Sequence, residues 1–460
     1  MSDRTRLPFE LDEQIEETAI TAHAGVPLVI EYFRSCGAAA VIDEAASTKR
    51  RQRGLRASEL AESLLALWAA GGDRCEDLDA FREDEALAQL LGHDLPAAQT
   101  VRDFLEGFHA ADLPLWQAGP KAVVPAESPP LAGLARANGA VLADVQARGP
   151  SRTATLDVDA KIYASDKQAA LPTYEGTRGY QPTFVLWVEQ DLLVVDEFRD
   201  GNVPAGSGNR RVVERAVAAL PSGVAEVLVR GDSALYEHDL LRWLDERRIG
   251  FAVSADMGAR LSAAIRALPE EAWQPDAEEA EAFRQWAEVA YLPDDGDFHK
   301  NAPAPHRYLA IRILKKQGCL FADGSDRRHF CVVTNRDGDG LALLRWHRGK
   351  AGTIEHVHHV LANELAAGAL PSQKFGANAA WMRLNALLYN LLSALKQIAL
   401  PPELRTAQPK RLRFLLLNQV GRVIRHARST LLRLTNELAQ RLWDRARVAV
   451  HSRRPAPAPT

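Results

Sequence analysis

The stretch TATLDVDAKIY, from Thr153 to Tyr163, decides how the chain is read. Thr155, Leu156, Val158, Ile162 and Tyr163 favour extended backbone, and side chains two apart on a strand point to one face. Asp157 and Asp159 therefore look the same way. Charge inside an apolar strand is costly unless it is paired or binds a cation, so such a pair usually has a chemical task. The plainer alternative is a strand end with one solvated Asp; the positions of the other acids decide between the two.

Downstream, TFVLWVE (183–189) and LLVVDEFR (192–199) read as strands split by a turn at Gln190 and Asp191. NRRVVERAVAAL (209–220) has helical spacing, AEVLVRGDS (225–233) reads as a buried strand, HDLLRWLDERR as a helix and GFAVSAD as another strand. Three strands followed by helix–strand–helix–strand predict a mixed α/β sheet. Residues 257–345 break this order with an acidic segment and the strand candidates WAEVAYL, RYLAIRILKK and HFCVVTN, a β-rich insertion. The helices TIEHVHHVLANELAAG and WMRLNALLYNLLSALKQIAL follow. Residues 401–460 hold thirteen Lys/Arg against three Asp/Glu, a net of +10 in a chain whose formal charge is −4. This local basic patch favours contact with a polyanion such as nucleic acid.

Upstream, residues 1–118 read as helical, with one helix ending near Gly37 and another, ASELAESLLALWAAGG, capped by Ser58 and stopped at Gly71–Gly72. Between them TKRRQRGLR places Arg50, Arg51 and Arg53 before a helix, a basic loop suited to gripping DNA phosphates or else a solvated charge run. PKAVVPAESPP (120–130) reads as a proline-rich linker leading into a helix. The expected units are a helical DNA-binding region (1–118), a linker and helix (119–150), a first half of the core (151–256), the insertion (257–345), a second half of the core (346–400) and a basic helical C-terminal region (401–460).

Composition is globular, 47% hydrophobic and 25% charged. The cysteines Cys36, Cys75, Cys319 and Cys331 are too scattered for a disulfide framework or a zinc ribbon. With no signal peptide and no apolar run of about 18 residues, a cytoplasmic protein without a membrane segment is expected. GxxxxGK, HExxH and GxSxG are absent, so nucleotide hydrolysis, zinc proteolysis and serine hydrolysis lack support.

Asp232, in VLVRGDSALY, lies at the C-terminal end of a buried strand, where open α/β sheets place their sites; simple helix capping is the alternative. In GTIEHVHHV, Glu355 sits at the margin of the stripe formed by Ile354, Val357, Leu361 and Leu365, while Glu364 lies near the stripe's other side. Periodicity alone does not choose between them. Two acids from strand ends and one from a later helix would supply the oxygen ligands that two Mg²⁺ (or Mn²⁺) ions need for phosphoryl transfer.

LDVDAKI, VRGDSALY, RWHRGKAGTIEHVHHVLANELAAG and LPSQKFGANAAW together resemble the DDE transposases of bacterial insertion sequences, in particular those with a strand-rich insertion between the second Asp and the Glu. The resemblance covers nearly the whole chain. It implies an RNase H-like core, with Asp159, Asp232 and Glu355 as the catalytic metal ligands and Asp157 as a supporting residue beside them. It also implies cut-and-paste DNA transposition, with double-stranded DNA (terminal inverted repeats and target) as partner and a dimer assembled on DNA. Related transposases often place Tyr and Arg seven and four residues before the Glu and Lys seven after it. Here those positions hold Arg348, Ala351 and Ala362, so Arg345, Arg348 and Lys350 are expected to contact DNA phosphates instead. An inactive DNA-binding derivative and an RNase H-like nuclease without strand transfer are the rival readings.

Four lesser candidates complete the set. His356, His358 and His359 could hold a transition metal with Glu355; Trp273 or Trp286 could stack on a base; Arg178 and Tyr180 could face DNA. In each case a structural role is the plainer expectation.

Overall fold

The computed structural model describes residues 19–48, 53–276, 284–293, 306–315, 320–322, 324–426 and 429–452. Lys49, Arg50, Arg51 and the terminal RRPAPAPT fall outside these residues. TATLDVDA forms β1 (Thr153–Ala160), and the main sheet continues with β2 (Thr183–Trp187), β3 (Leu192–Glu197), β4 (Glu226–Gly231) and β5 (Gly250–Ser254). Their spatial order is 3-2-1-4-5. β1, β4 and β5 run parallel, whereas β2 is antiparallel to both β1 and β3. This is the expected RNase H-like arrangement. Leu156, Val158, Val229, Phe251 and Val253 are buried, as central strands covered on both faces require.

The insertion does not form a sheet of its own. Its strands β6 (Gln274–Pro275), β7 (Arg284–Val289), β8 (Arg307–Leu314) and β9 (Arg327–Thr334) extend the core sheet antiparallel beyond β5, giving nine strands among the described residues. β9 pairs with the edge of β5, matching Ala252 to Thr334 and Val253 to Val333. An edge strand offers unpaired backbone groups, and pairing satisfies them without a new core.

Helices α1 (Pro129–Arg148), α2 (Asn209–Ala219), α3 (His238–Glu246), α4 (Gly340–Arg348), α5 (Ile354–Asn363) and α6 (Phe375–Ile398) surround the sheet. α1 and α6 pack on each other and on β3. Asn390, fully buried on α6, donates to Asn138 of α1 at 2.7 Å and accepts from Leu193 N–H of β3 at 2.7 Å. One apolar core runs from here into the N-terminal helices, where Trp68 meets Trp381 edge-on at 4.6 Å. Those helices therefore share the core of the sheet. The helix Ala57–Ala70 starts after Arg56, whose backbone N–H donates to Glu59, while the expected cap Ser58 lies inside the first turn and bonds Asp43.

Two segments depart from expectation. The proline-rich linker carries a small hairpin, Leu115–Gly119 with Ala122–Pro125. The basic C-terminal region is not wholly helical: β10 (Gly421–His426) and β11 (Ser429–Leu434) form a hairpin ahead of the helix Glu437–His451.

Buried charge fastens the linker to the core. Arg383 of α6 is buried and binds Asp196 of β3 at 2.9 Å and Glu127 at 2.8 Å, and Arg215 of α2 reaches Glu127 at 2.5 Å. Burial pushes the Glu127 carboxyl up, but the Arg383 and Arg215 guanidiniums outweigh it and hold the pKa at about 2. Because this lies below the unfolded value of about 4.3, Glu127 contributes its full stabilisation above that pH and loses it as pH falls toward 2. Glu127→Gln is expected to flatten the pH 2–4.5 limb of the stability curve, measured by urea midpoints; an unchanged limb would discount this network.

Candidate active site

Both acids of the opening stretch sit on the face of β1 covered by the α4–α5 segment, yet their surroundings differ. Asp157 is fully buried. Arg230, opposite it in the parallel β1–β4 register, clamps it with two bonds, Nε to Oδ1 at 2.6 Å and NH2 to Oδ2 at 2.8 Å. Thr353 Oγ1 also donates to Asp157, and Arg230 NH1 donates to the Trp346 carbonyl. Asp157 thus ties the loop between α4 and α5 to the sheet, with its negative charge already neutralised.

Asp159, one pleat further, meets a cation of a different kind. Lys350 Nζ stands 2.9 Å from Oδ1, in a single contact by a flexible side chain. His358 Nε2 lies 3.2 Å from Oδ2, too oblique for a well-formed hydrogen bond, and its ring packs edge-on against Phe184. Burial works against the Asp159 charge, but His358 and Lys350 overcome it and hold the carboxyl below its usual range.

Asp232 follows β4 and caps the single turn Ser233–Leu235, accepting from Ala234 N–H at 3.0 Å. It is exposed at the strand end, but the walls of the concavity thin its hydration and raise its carboxyl pKa; Lys350 opposes that rise and Asp159 adds to it. The two aspartates therefore feel each other and share the field of Lys350. The turn is held by His347, whose Nε2 bonds the Gly231 carbonyl at 2.9 Å; burial lowers the pKa of this histidine and keeps it neutral. A Cβ at Gly231 would stand 2.5 Å from Leu235 Cδ2, so this tight strand end suits glycine.

Glu355 is exposed on the first turn of α5. It lines a cavity of about 340 Å3 together with Asp232, Lys350 and Arg348, backed by Trp286, Phe330 and Leu344. Glu364 ends α5, and its carboxylate accepts from Lys410 N–H at 2.8 Å, capping a distant turn. Of the expected DNA contacts, Arg348 is exposed at this cavity, Arg345 pairs with Asp276 at 2.5 Å, Lys350 is buried on Asp159, and Arg53 is exposed before the helix Ala57–Ala70. Arg50 and Arg51 lie outside the described residues.

The lesser candidates take structural roles. His358 is buried on Asp159, whereas His356 and His359 are exposed, so the three histidines do not converge. Trp273 and Trp286 are buried, and Arg312 covers the Trp273 ring at 4.5 Å. Arg178 donates to the carbonyls of Gln168 and Ala170, and Tyr180 is buried. Reading the sequence missed Arg230, His347 and Thr353, and it singled out His358 as a metal candidate without foreseeing its place beside Asp159. One signal was present: Arg230 lies two residues before Asp232, as Asp157 lies two before Asp159, so parallel pairing of those strands sets them side by side.

Residues 11–448 match the family model described as transposase DDE domain, group 1. The chain belongs to that family. The match spans nearly the full length of this DDE transposase domain and brings with it DNA transposition as its general activity. Among solved structures, the domain resembles the piggyBac transposase in a cryo-EM synaptic complex with hairpin DNA, at 10% identity, a TM-score of 0.44, and coverage of 79% of this chain and 74% of that one. No curated protein matches it.

DDE domains generally use divalent metal ions, and Asp159 and Asp232 offer such an ion carboxylate oxygens. Carboxylate oxygens are what hard cations prefer. The Lys350 ammonium already stands on Asp159 as a stand-in cation, and Asp232 has no ion-pair partner among the described residues. Among those residues no three His, Cys, Asp or Glu side chains are grouped closely enough to enclose an ion.

Proposed function

We propose that this transposase cleaves DNA at the ends of its element and joins the freed 3′ ends to target DNA by cut-and-paste transposition. Asp159, Asp232 and Glu355 would hold Mg²⁺ or Mn²⁺. The observation that carries this reading is the convergence of Asp159 and Asp232, from the ends of neighbouring parallel strands, on the segment that bears Lys350 and Glu355. When bound there, the cations would neutralise charge on the attacking and leaving oxygens of an in-line displacement. The chain's own residues do the positioning. Asp157, Arg230 and Thr353 fix the α4–α5 loop to β1, His347 fixes the turn that carries Asp232, and Arg348, at the cavity, would meet a phosphate. No covalent protein intermediate is required, since orientation and charge neutralisation carry most of such a reaction.

Both ends must be cut together, so the working form is a dimer on double-stranded DNA, holding the terminal repeats and the target. A cytoplasmic enzyme of a bacterial insertion sequence fits this role; no helix among the described residues is long and apolar enough to cross a membrane. The test is cleavage of an end-containing duplex with Mg²⁺ or Mn²⁺, followed by assay of strand transfer. Cleavage without joining would make the chain a nuclease of RNase H-like type. A second reading, a DNA-binding derivative without cleavage, is favoured by Lys350 on Asp159 and by alanine at 351 and 362; absence of cleavage with intact duplex binding would support it.

Glu364→Ala is expected to leave cleavage within about twofold of wild type, because that carboxylate caps the Pro409–Leu412 turn. Loss of cleavage in Glu364→Ala with retention in Glu355→Ala would reassign the third ligand.

A further inference from the structure

The β10–β11 hairpin carries charge that no carboxylate among the described residues pairs with. Across it Arg422 stands directly opposite Arg433, Ile424 opposite Leu431, and Val423 opposite Leu432. Val423 is buried against the body, and Leu432 is partly covered. The other face bears Arg422, Arg433 and Leu431, all exposed. Toward the turn, Arg425, Ser429 and Thr430 are exposed. Between Gly421 and Leu434 there is no Asp or Glu, and Arg422, Arg425 and Arg433 make no ion pair among the described residues.

Like charges directly opposite on a hairpin cost stability, by roughly 0.2–1 kcal/mol per pair. Arginines can protect an open sheet edge from other chains, but that would require charge on the outer strand β11 alone. Here Arg422 and Arg425 lie on β10, which is itself paired with the strand Ile20–Thr21. Among the described residues the opposed arginines have no anionic partner, and a polyanion lying across both strands would supply one. A two-stranded β-ribbon also fits the major groove of duplex DNA, which is about 12 Å wide.

We propose that the β10–β11 hairpin is a duplex-DNA-binding finger, with Arg422, Arg425 and Arg433 on backbone phosphates. This rests on the DNA reading above but is separate from the acid cluster, since no residue of the hairpin lines the Asp232–Glu355 cavity. The probe is a random-sequence 30-base-pair duplex, titrated with the full chain by fluorescence anisotropy across a series of KCl concentrations. Each phosphate contact adds about 0.9 to the slope of log affinity against log salt. The triple variant Arg422→Ser, Arg425→Ser, Arg433→Ser is expected to lower that slope by about 2.7 and to weaken binding at least about tenfold at low salt. Because Arg425 is exposed near the tip, Arg425→Ser alone is the control against misfolding and should lower the slope by about 0.9. Wild-type binding with unchanged slopes in both variants overturns the finger and leaves the transposase reading intact. Equal loss of binding to a single strand of the same length overturns the duplex assignment. A wild-type chain that binds no duplex overturns both readings.

Discussion

Asp159→Asn and Asp232→Asn are each expected to lower metal-dependent cleavage of an end-containing duplex by at least about a thousandfold, with duplex affinity within about threefold of wild type; electrostatic groups at a reacting centre are worth about 10²–10³ apiece, and a lost metal ligand removes more. The asparagine is chosen for Asp159 because its carbonyl oxygen can still accept from Lys350, so the fold around β1 persists while a charge is lost. At Asp232 the amide keeps an oxygen for the Ala234 N–H. Glu355→Gln should behave alike, and because Glu355 is exposed it should leave the unfolding midpoint unchanged. Single-turnover cleavage with Mn²⁺, run beside anisotropy on the same duplex, reads both quantities. Cleavage retained within tenfold in Asp159→Asn would remove that residue from the site.

The opposite pattern is expected one pleat earlier. Asp157→Ala should destabilise the chain by about 3–5 kcal/mol, since it leaves the Arg230 guanidinium buried without its carboxylate. It also frees Thr353 and with it the loop that leads to Glu355. Urea unfolding is the measurement, with Asp159→Asn as the comparison. A stable Asp157→Ala and an unfolded Asp159→Asn would reverse the roles given to the two acids. Restoring stability by pairing Asp157→Leu with Arg230→Met would show that the cost is that of an orphaned buried charge.

Two neighbouring acids on one strand thus have distinct tasks, and the difference lies in their partners. Arg's rigid fork matches a carboxylate with two bonds and is hard to displace; the Lys350 ammonium is a single point charge on a flexible stem. Asp157 is consequently held by two bonds from Arg230, and Asp159 by one from Lys350. His347 belongs to the same design: kept neutral by burial, it donates to the carbonyl just before Asp232 without adding charge to the cluster.

Much of this was legible from residue order. The alternation in TATLDVDA places Asp157 and Asp159 on one face, and they share it. The run of strand-like segments predicts a mixed sheet, and the chain forms one; its 3-2-1-4-5 core order comes from the pairing. The C-terminal hairpin escaped because GRVIRHARSTLLRL mixes strand formers (Val423, Ile424, Thr430) with leucines and arginines that suit a helix equally well. Glu364 stayed in play because α5 offers two margins, and only the helix Pro409–Leu412, brought back by the chain some fifty residues later, occupies one of them.

The sequence by itself determined much of the core's local geometry: which core segments are strands, which side chains share a face, and that acids stand at strand ends. Those follow from backbone periodicity, a property of neighbours along the chain. The tertiary structure alone decided which cation each acid meets, that the insertion lengthens the core sheet, and that the C-terminal arginines face each other across a hairpin. Each of these depends on a partner far along the chain, such as Arg230 for Asp157 or Lys350 for Asp159, and no local pattern specifies the register that brings them together.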